Sequence, residues 1–356
     1  MKHGPRAVLG SQQQRRLAGR PKAHFSGVFQ SELLRAEDGS RSGGVKLPQT
    51  KMPRRDFLRL TLAASTAVGI AANPGETNGA DSEPLPLRGL RLIDVNVSLS
   101  RWPFRRLPLD ETENLVSRLK SRGVNQAWAG SFDVLLSKNL ASVNDRLATE
   151  CRVRGQGVLV PFGSVNPTLP DWQEDLRRCS EVHRMPGIRV HPNFHGYKLE
   201  DPRFTELLQK AALRGLVVQI AASMEDERVQ HPLLRVANVE LSPLPGLLEK
   251  IPRLRVVLLN WFRAVGTRST ASPSTNLLVK LGCTGQVSFD IAMVEGVGGV
   301  GQLLEQVPTN RVLFGSHAPF YYFESAALKL QESILSKEQL ASISAQNARN
   351  LLRKNP

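Results

Sequence analysis

Cysteine is scarce in this 356-residue chain: Cys151, Cys179 and Cys283 stand far apart, and no CxxC pair is present. That spacing excludes a thiolate metal cluster. An odd count also excludes complete internal pairing, so buried free thiols are expected. Aromatic residues are few, at 6%. No basic helix interleaved with aromatics appears, so the footprint of a nucleic-acid binder is missing. The net charge of +15 does not supply one. Residues 1–72 hold thirteen Lys and Arg against four acids, a net +9, and the other +6 is spread over 284 residues. Nucleic acid is therefore not an expected partner. A Gly-rich phosphate loop is also lacking, because the first strand-like run is followed by DVNVSLSRWPF. That argues against a dinucleotide-binding open sheet.

What is present begins with an address. Residues 52–72 read MPRRDFLRLTLAASTAVGIAA. An arginine pair, then Phe57-Leu58, then a mild run of small apolar residues resembles a twin-arginine export signal. The run is short of the ~20 apolar residues of a comfortable membrane span. Pro53 stands where Ser or Thr is usual, and Ala71, Ala72 and Ala80 offer cleavage points. The expected layout is a disordered basic extension over 1–51, a signal over 52–80 and a polar linker to residue 88. Met52 is then the expected start of the protein, and export across the membrane its expected fate. An uncleaved amphipathic anchor is the alternative, and the only membrane contact expected.

From residue 89 the pattern is regular. Eight apolar or β-branched runs alternate with amphipathic stretches: 90–97, 125–132, 157–165, 187–192, 215–222, 255–261, 286–293 and 311–317. In DPRFTELLQKAALRG, residues 201–215, Phe204, Leu207, Leu208, Ala211 and Ala212 share a helix face. Asp201 caps its start, Pro202 fits its first turn and Gly215 stops it. The run LVVQIAA that follows is near-continuously apolar, as strands buried on both faces are. Eight such units predict a (β/α)8 TIM barrel over 89–353.

Four pieces then carry a likeness: LIDVNVSL on the first strand, GIRVHP on the fourth, RVLFGSHAPF on the eighth and SAQNARNLL in the closing helix. With this order and spacing the chain resembles the amidohydrolase-related barrel family, the branch with decarboxylases and lactone hydrolases. The resemblance implies a metal site at the C-terminal mouth, with His-x-His on the first strand, one His each on the fifth and sixth, and Asp on the eighth. Here those places read Asn96 and Ser98, Gln219, Asn260 and His317.

Amides and a hydroxyl are weak donors to a divalent transition ion, and this set holds one imidazole and no anion. No metal cofactor is therefore expected at the axis; a divalent ion such as zinc is the alternative. The replacements nevertheless keep hydrogen-bonding capacity. They suggest that something polar binds there, and the resemblance, through family members that hydrolyse lactones without metal, implies a metal-independent hydrolase of a small polar lactone, ester or amide. His317 would be its general base and Asp290, on the seventh strand, the orienter of that base. Asn96, Ser98, Gln219 and Asn260 would bond substrate oxygens, with His191 beside them and Arg101 or Arg189 as a carboxylate clamp. Two alternatives stand: an exported, non-catalytic barrel that binds a small molecule, and a hydrolase or decarboxylase with a relocated metal site from His191, His195, His231 and Asp226.

Overall fold

The computed structural model describes residues 90–261 and 273–353. The expectations for the extension, signal and linker, residues 1–88, lie outside the described residues.

The alternation read from the sequence is realised. β1 (Leu92–Leu99) leads through α1 (Thr112–Ser121) to β2 (Val124–Ser131), and α2 (Leu140–Arg154) leads to β3 (Leu159–Pro161). α3 (Trp172–Arg177) precedes β4 (Gly187–Val190). The single turn α4 (Pro192–His195) and the longer α5 (Pro202–Leu213) precede β5 (Val217–Ala221). α6 (Leu244–Lys250), β6 (Arg255–Leu259), α7 (Pro273–Cys283), β7 (Val287–Asp290), α8 (Gly299–Leu304) and β8 (Val312–Leu313) follow. α9 (Phe323–Gln331), α10 (Lys337–Ala341) and α11 (Asn347–Leu352) complete the described chain.

The strands pair in chain order, all parallel, as β1-β2-β3 and β4-β5-β6-β7-β8. Single bridges Gly163–Ile188 and Val97–Ala318 join the two groups at both seams, so the ring closes as a (β/α)8 barrel. α5 forms for the reasons its sequence gives. The Asp201 side chain accepts from Arg203 N at 2.9 Å, Pro202 opens the helix, and Gly215 at φ +66° lets the chain turn into β5. Phe204, Leu207, Leu208 and Ala211 are buried against the sheet.

Several strands are shorter than their apolar runs. β3 ends at Pro161, which brings no N–H to the ladder. β8 stops at Leu313 because the next groups bond elsewhere: Ser316 N donates to the Asp94 carboxylate, and His317 takes φ 58°. Inside the barrel, Trp128 and Phe162 stack with centroids 4.8 Å apart, and Val95, Val217, Val257 and Leu313 pack around them.

Gly187 opens β4 at the tightest point of this packing. A Cβ there would lie 2.4 Å from both Val217 O and the Phe162 ring. Gly187→Ala should therefore destabilise the fold by about 1–3 kcal/mol, the usual cost of overpacking, measured as a lower urea midpoint with an unchanged slope. An unchanged midpoint would contradict the packing.

Candidate active site at the barrel mouth

The strand ends bring Asn96, Asn260, Asp290 and His317 together at the axis. Asn96 Nδ2 donates to Asn260 Oδ1 at 2.9 Å and to Asp290 Oδ2 at 2.7 Å. Asn260 N donates to Asp290 Oδ1 at 3.0 Å, and Asn260 Nδ2 to Ser223 O at 2.9 Å. His317 Nε2 lies 2.9 Å from Met224 O. A carbonyl only accepts, so this nitrogen carries the proton and Nδ1 holds the lone pair. Asn260 Nδ2 lies 3.5 Å from Nδ1, too far for a strong bond.

The expected direct pair of His317 with Asp290 is not formed. Among the described residues no hydrogen bond joins them, and Asn260 stands between, its backbone on the carboxylate and its amide toward the imidazole. Gln219 also departs from its expected place. It shares a row with Arg189 and Val257, while Ala221 ends β5 at the mouth among Trp102, Phe132 and Phe320. Gln219 thus lies one inward layer deeper, where Nε2 donates to Val95 O at 2.7 Å.

Arg189 lies beside it and is fully engaged. Nε donates to Gln219 Oε1 at 2.8 Å, Nη1 to Val97 O and to Ser98 Oγ, and Nη2 to Trp128 O. Room for it comes from Gly130, where a Cβ would meet Nη1 at 2.8 Å. Gly315 likewise clears space for Asp290 and Asn96, whose Cβ atoms would lie 2.9 and 3.1 Å from an added Cβ. Asp94, whose role the sequence did not reveal, clamps β1 to the eighth strand: it accepts from Asn96 N, Ser316 N and the Ser316 hydroxyl.

The other expected residues separate. Arg101 is an exposed rim residue paired with Glu111 at 2.9 Å, away from the axis. It lines a cavity of about 230 Å³ beside the ends of β1 and β2, with Ser131, Asp133 and Arg146. Asp226 holds Arg228 in its own loop, and His231 is exposed, its Nδ1 accepting from Leu233 N. Neither joins His191 and His195, so the relocated four-residue metal set is not assembled. The reason is local: each side chain caps its own turn.

Aromatic residues seal the mouth. The Phe320 ring stacks on His317 at 5.0 Å, Trp102 meets Phe320 edge-on at 5.0 Å, and Arg105 covers the other ring face at 5.1 Å. The only sequence signal for this seal was the density of aromatics in RWPF and HAPFYY, one after each of two strands.

Burial governs the ionisation here. It pushes Asp290 up to about 7 and Asp94 up to about 6, against the N–H groups that favour their charged forms. It pulls His317 down to about 4, with the Met224 carbonyl opposing, so the ring is neutral near pH 7. Arg189 is pulled down to about 10 by burial and stays cationic.

The family-type metal does not fit these donors. Asn96 turns its amide N–H groups, not lone pairs, toward Asn260 and Asp290. Among the described residues no three His, Cys, Asp or Glu side chains gather to hold an ion.

The chain is thus a closed parallel (β/α)8 barrel with polar groups gathered at its strand ends. Residues 121–354 match the family model described as Amidohydrolase, and the chain belongs to that family. No curated protein matches the chain. Among solved structures, 2,6-dihydroxybenzoate decarboxylase from Rhizobium is similar at 14% identity and a TM-score of 0.58, covering 74% of this chain and 98% of its own. 5-Carboxyvanillate decarboxylase from Sphingomonas paucimobilis is similar at 14% identity and a TM-score of 0.55, covering 75% and 100%. The Novosphingobium aromaticivorans 5-carboxyvanillate decarboxylase, solved with bound manganese, is similar at 15% identity and a TM-score of 0.57, covering 74% and 97%. These likenesses show the fold.

The raised carboxyl at the axis gives a signed expectation. Asp290 binds its proton more tightly folded than unfolded, from 3.8 to about 7. Its contribution to stability is therefore complete below pH 4 and lost as pH rises through 7, by up to ~1.4 kcal/mol per pH unit. His317, shifted downward, acts in the opposite sense between pH 4 and 6.5. Comparing wild type with Asp290→Asn isolates the carboxyl: the stability difference in favour of wild type should shrink between pH 4 and 7 and level off above 8. A difference constant with pH would contradict this assignment.

Proposed function

We propose that this chain is an amidohydrolase-family barrel whose axis no longer performs the metal-dependent reaction, and that it binds a small, polar, carboxylated molecule at the rim. One observation carries the reading. Most polar groups that line the axis bond one another or backbone carbonyls, under a ring stacked on His317, with Ser288 Oγ and Trp128 Nε1 buried but unpaired. A substrate entering there would have to break that network, at several kcal/mol for each buried group left unpaired, about 2–7.

The rim cavity beside β1 and β2 offers an alternative seat. Its volume of about 230 Å³ suits a small molecule, and Arg101 and Arg146 stand over it among four acids, Asp110, Glu111, Asp133 and Glu150. A carboxylate would compete for the two guanidinium groups. The twin-arginine reading of residues 52–80 belongs with this proposal and makes the protein an exported binder.

A second reading, metal-independent hydrolysis, is favoured by backbone strain. Asn260 and His317, just past the ends of β6 and β8 on either side of β7, both adopt left-handed φ values, 54° and 58°. Such residues persist where the surroundings hold them, often at active sites. On this reading, displacement of Phe320 exposes His317 as the base. The third reading, a metal-dependent hydrolase or decarboxylase, draws on the manganese bound in the similar Novosphingobium and Polaromonas decarboxylases.

The test is a thermal-shift panel of small carboxylates, with lactone and ester turnover and bound metal measured on the same protein. The expected result is a saturable rise in Tm, weakened about tenfold by Arg146→Ala, with no turnover. Turnover abolished by His317→Ala would establish the second reading instead. Stoichiometric manganese or zinc would overturn the metal-free account.

A further inference from the structure

The cavity beside the ends of β1 and β2 carries more than its two guanidinium groups. Each of its four acids has an arginine of its own. Glu111 pairs with Arg101 at 2.9 Å and Asp133 with Arg146 at 3.3 Å, and both of these arginines line the cavity. Asp110 pairs with Arg106 at 2.6 Å and Glu150 with Arg154 at 3.1 Å. The four pairs are neutral as they stand.

That balance decides the charge of an occupant. A lone carboxylate that takes Arg101 or Arg146 displaces an acid from its arginine and leaves that acid uncompensated. A lone ammonium has the converse fault, since it draws an acid away and strands a guanidinium. A molecule carrying both signs exchanges partners and keeps the balance. Its carboxylate goes to the arginines, and its ammonium goes to the acid released.

Two further features seat the carboxylate end. α1 starts at the cavity, where Asp110, Glu111 and Thr112 form part of the wall. Glu111, in the N-cap position, makes no side-chain cap bond, so the first-turn N–H groups of this ten-residue helix are open to an anion. Thr112 is 7% exposed, and its hydroxyl has no hydrogen-bond partner among the described residues. Polar groups buried that far are nearly always bonded, so the partner that the protein does not supply comes from the cavity Thr112 lines.

Size and the remaining wall select the body of the molecule. The volume of about 230 Å³ is below the ~300–1,000 Å³ of pockets for drug-sized ligands. Leu99, Val143 and Leu147 give the cavity an apolar side, the last two one turn apart on α2. The occupant is therefore small, with a short apolar body beside its charged groups.

We infer that the rim cavity takes a small α-amino acid with an apolar side chain. Its carboxylate lies among Arg101, Arg146 and the start of α1, and its ammonium against the acids these arginines release, Glu111 and Asp133. The inference rests on the rim-binding proposal and narrows its carboxylated ligand to a zwitterion. The experiment is a calorimetric titration of the full chain with three matched probes. They are L-valine, 3-methylbutanoate, which lacks the amine, and 2-methylpropylamine, which lacks the carboxylate. The expected result is one equivalent of valine bound, at least about tenfold tighter than either analogue. Asp133→Asn adds a readout that misfolding cannot imitate. It removes an ammonium acceptor and frees Arg146, so 3-methylbutanoate should bind as tightly as valine. Wild type binding either analogue as tightly as valine would overturn the inference, as would a preference for valine unchanged in Asp133→Asn. Valine unbound while a carboxylate of the thermal-shift panel binds would overturn the inference alone. No carboxylate bound at all would overturn the rim reading as well.

Discussion

The arrangement at the mouth depends on one side chain, the amide of Asn96. Its two N–H groups face Asn260 and Asp290 at once, and through them the first, sixth and seventh strands meet at the axis. Asn260 extends the chain of contacts to Ser223 O and toward His317, and His317 extends it to Met224 O. Since the loop after β5 supplies both carbonyls, the core network and the closure of the mouth are one structure. Partial satisfaction of such a network is costly, and Asn96, Gln219 and Asn260 each bond within it. An imidazole at 96 would present one N–H where the network uses two.

Much of the scaffold was legible in the sequence. Alternating runs and helix stops such as Gly215 placed the eight units, and the near-continuous apolar run 216–222 marked a strand covered on both faces. Two glycines that the sequence reading passed over, Gly130 inside β2 and Gly315 just after β8, each clear space for a bulky polar neighbour, Arg189 or the Asp290–Asn96 contact. Glycine in a strand interior often marks such a close approach.

The candidate site was less legible, for reasons of depth and direction. Strand periodicity put Gln219 on the inner face but not in which layer, and the register seats it beside Arg189 while Ala221 reaches the rim. Adjacent strands suggested that Asp290 would orient His317, yet an intervening asparagine takes the carboxylate. The relocated set failed because His231 and Asp226 engage their own loop, a local hydrogen bond outcompeting a distant one. Whether a polar residue is free or already engaged is a property of three-dimensional pairing, which no one-dimensional spacing encodes.

The claim with most consequences is that His317 is a neutral, sealed member of a structural network. Its imidazole ¹⁵N signals, followed from pH 5 to pH 8, test that most directly. A constant neutral ring, protonated at Nε2 and slow to exchange with solvent, is the predicted result, in keeping with a pKa lowered to about 4. A titration centred between pH 6 and 7 with fast exchange would show an imidazole open to solvent and would contradict the closed axis.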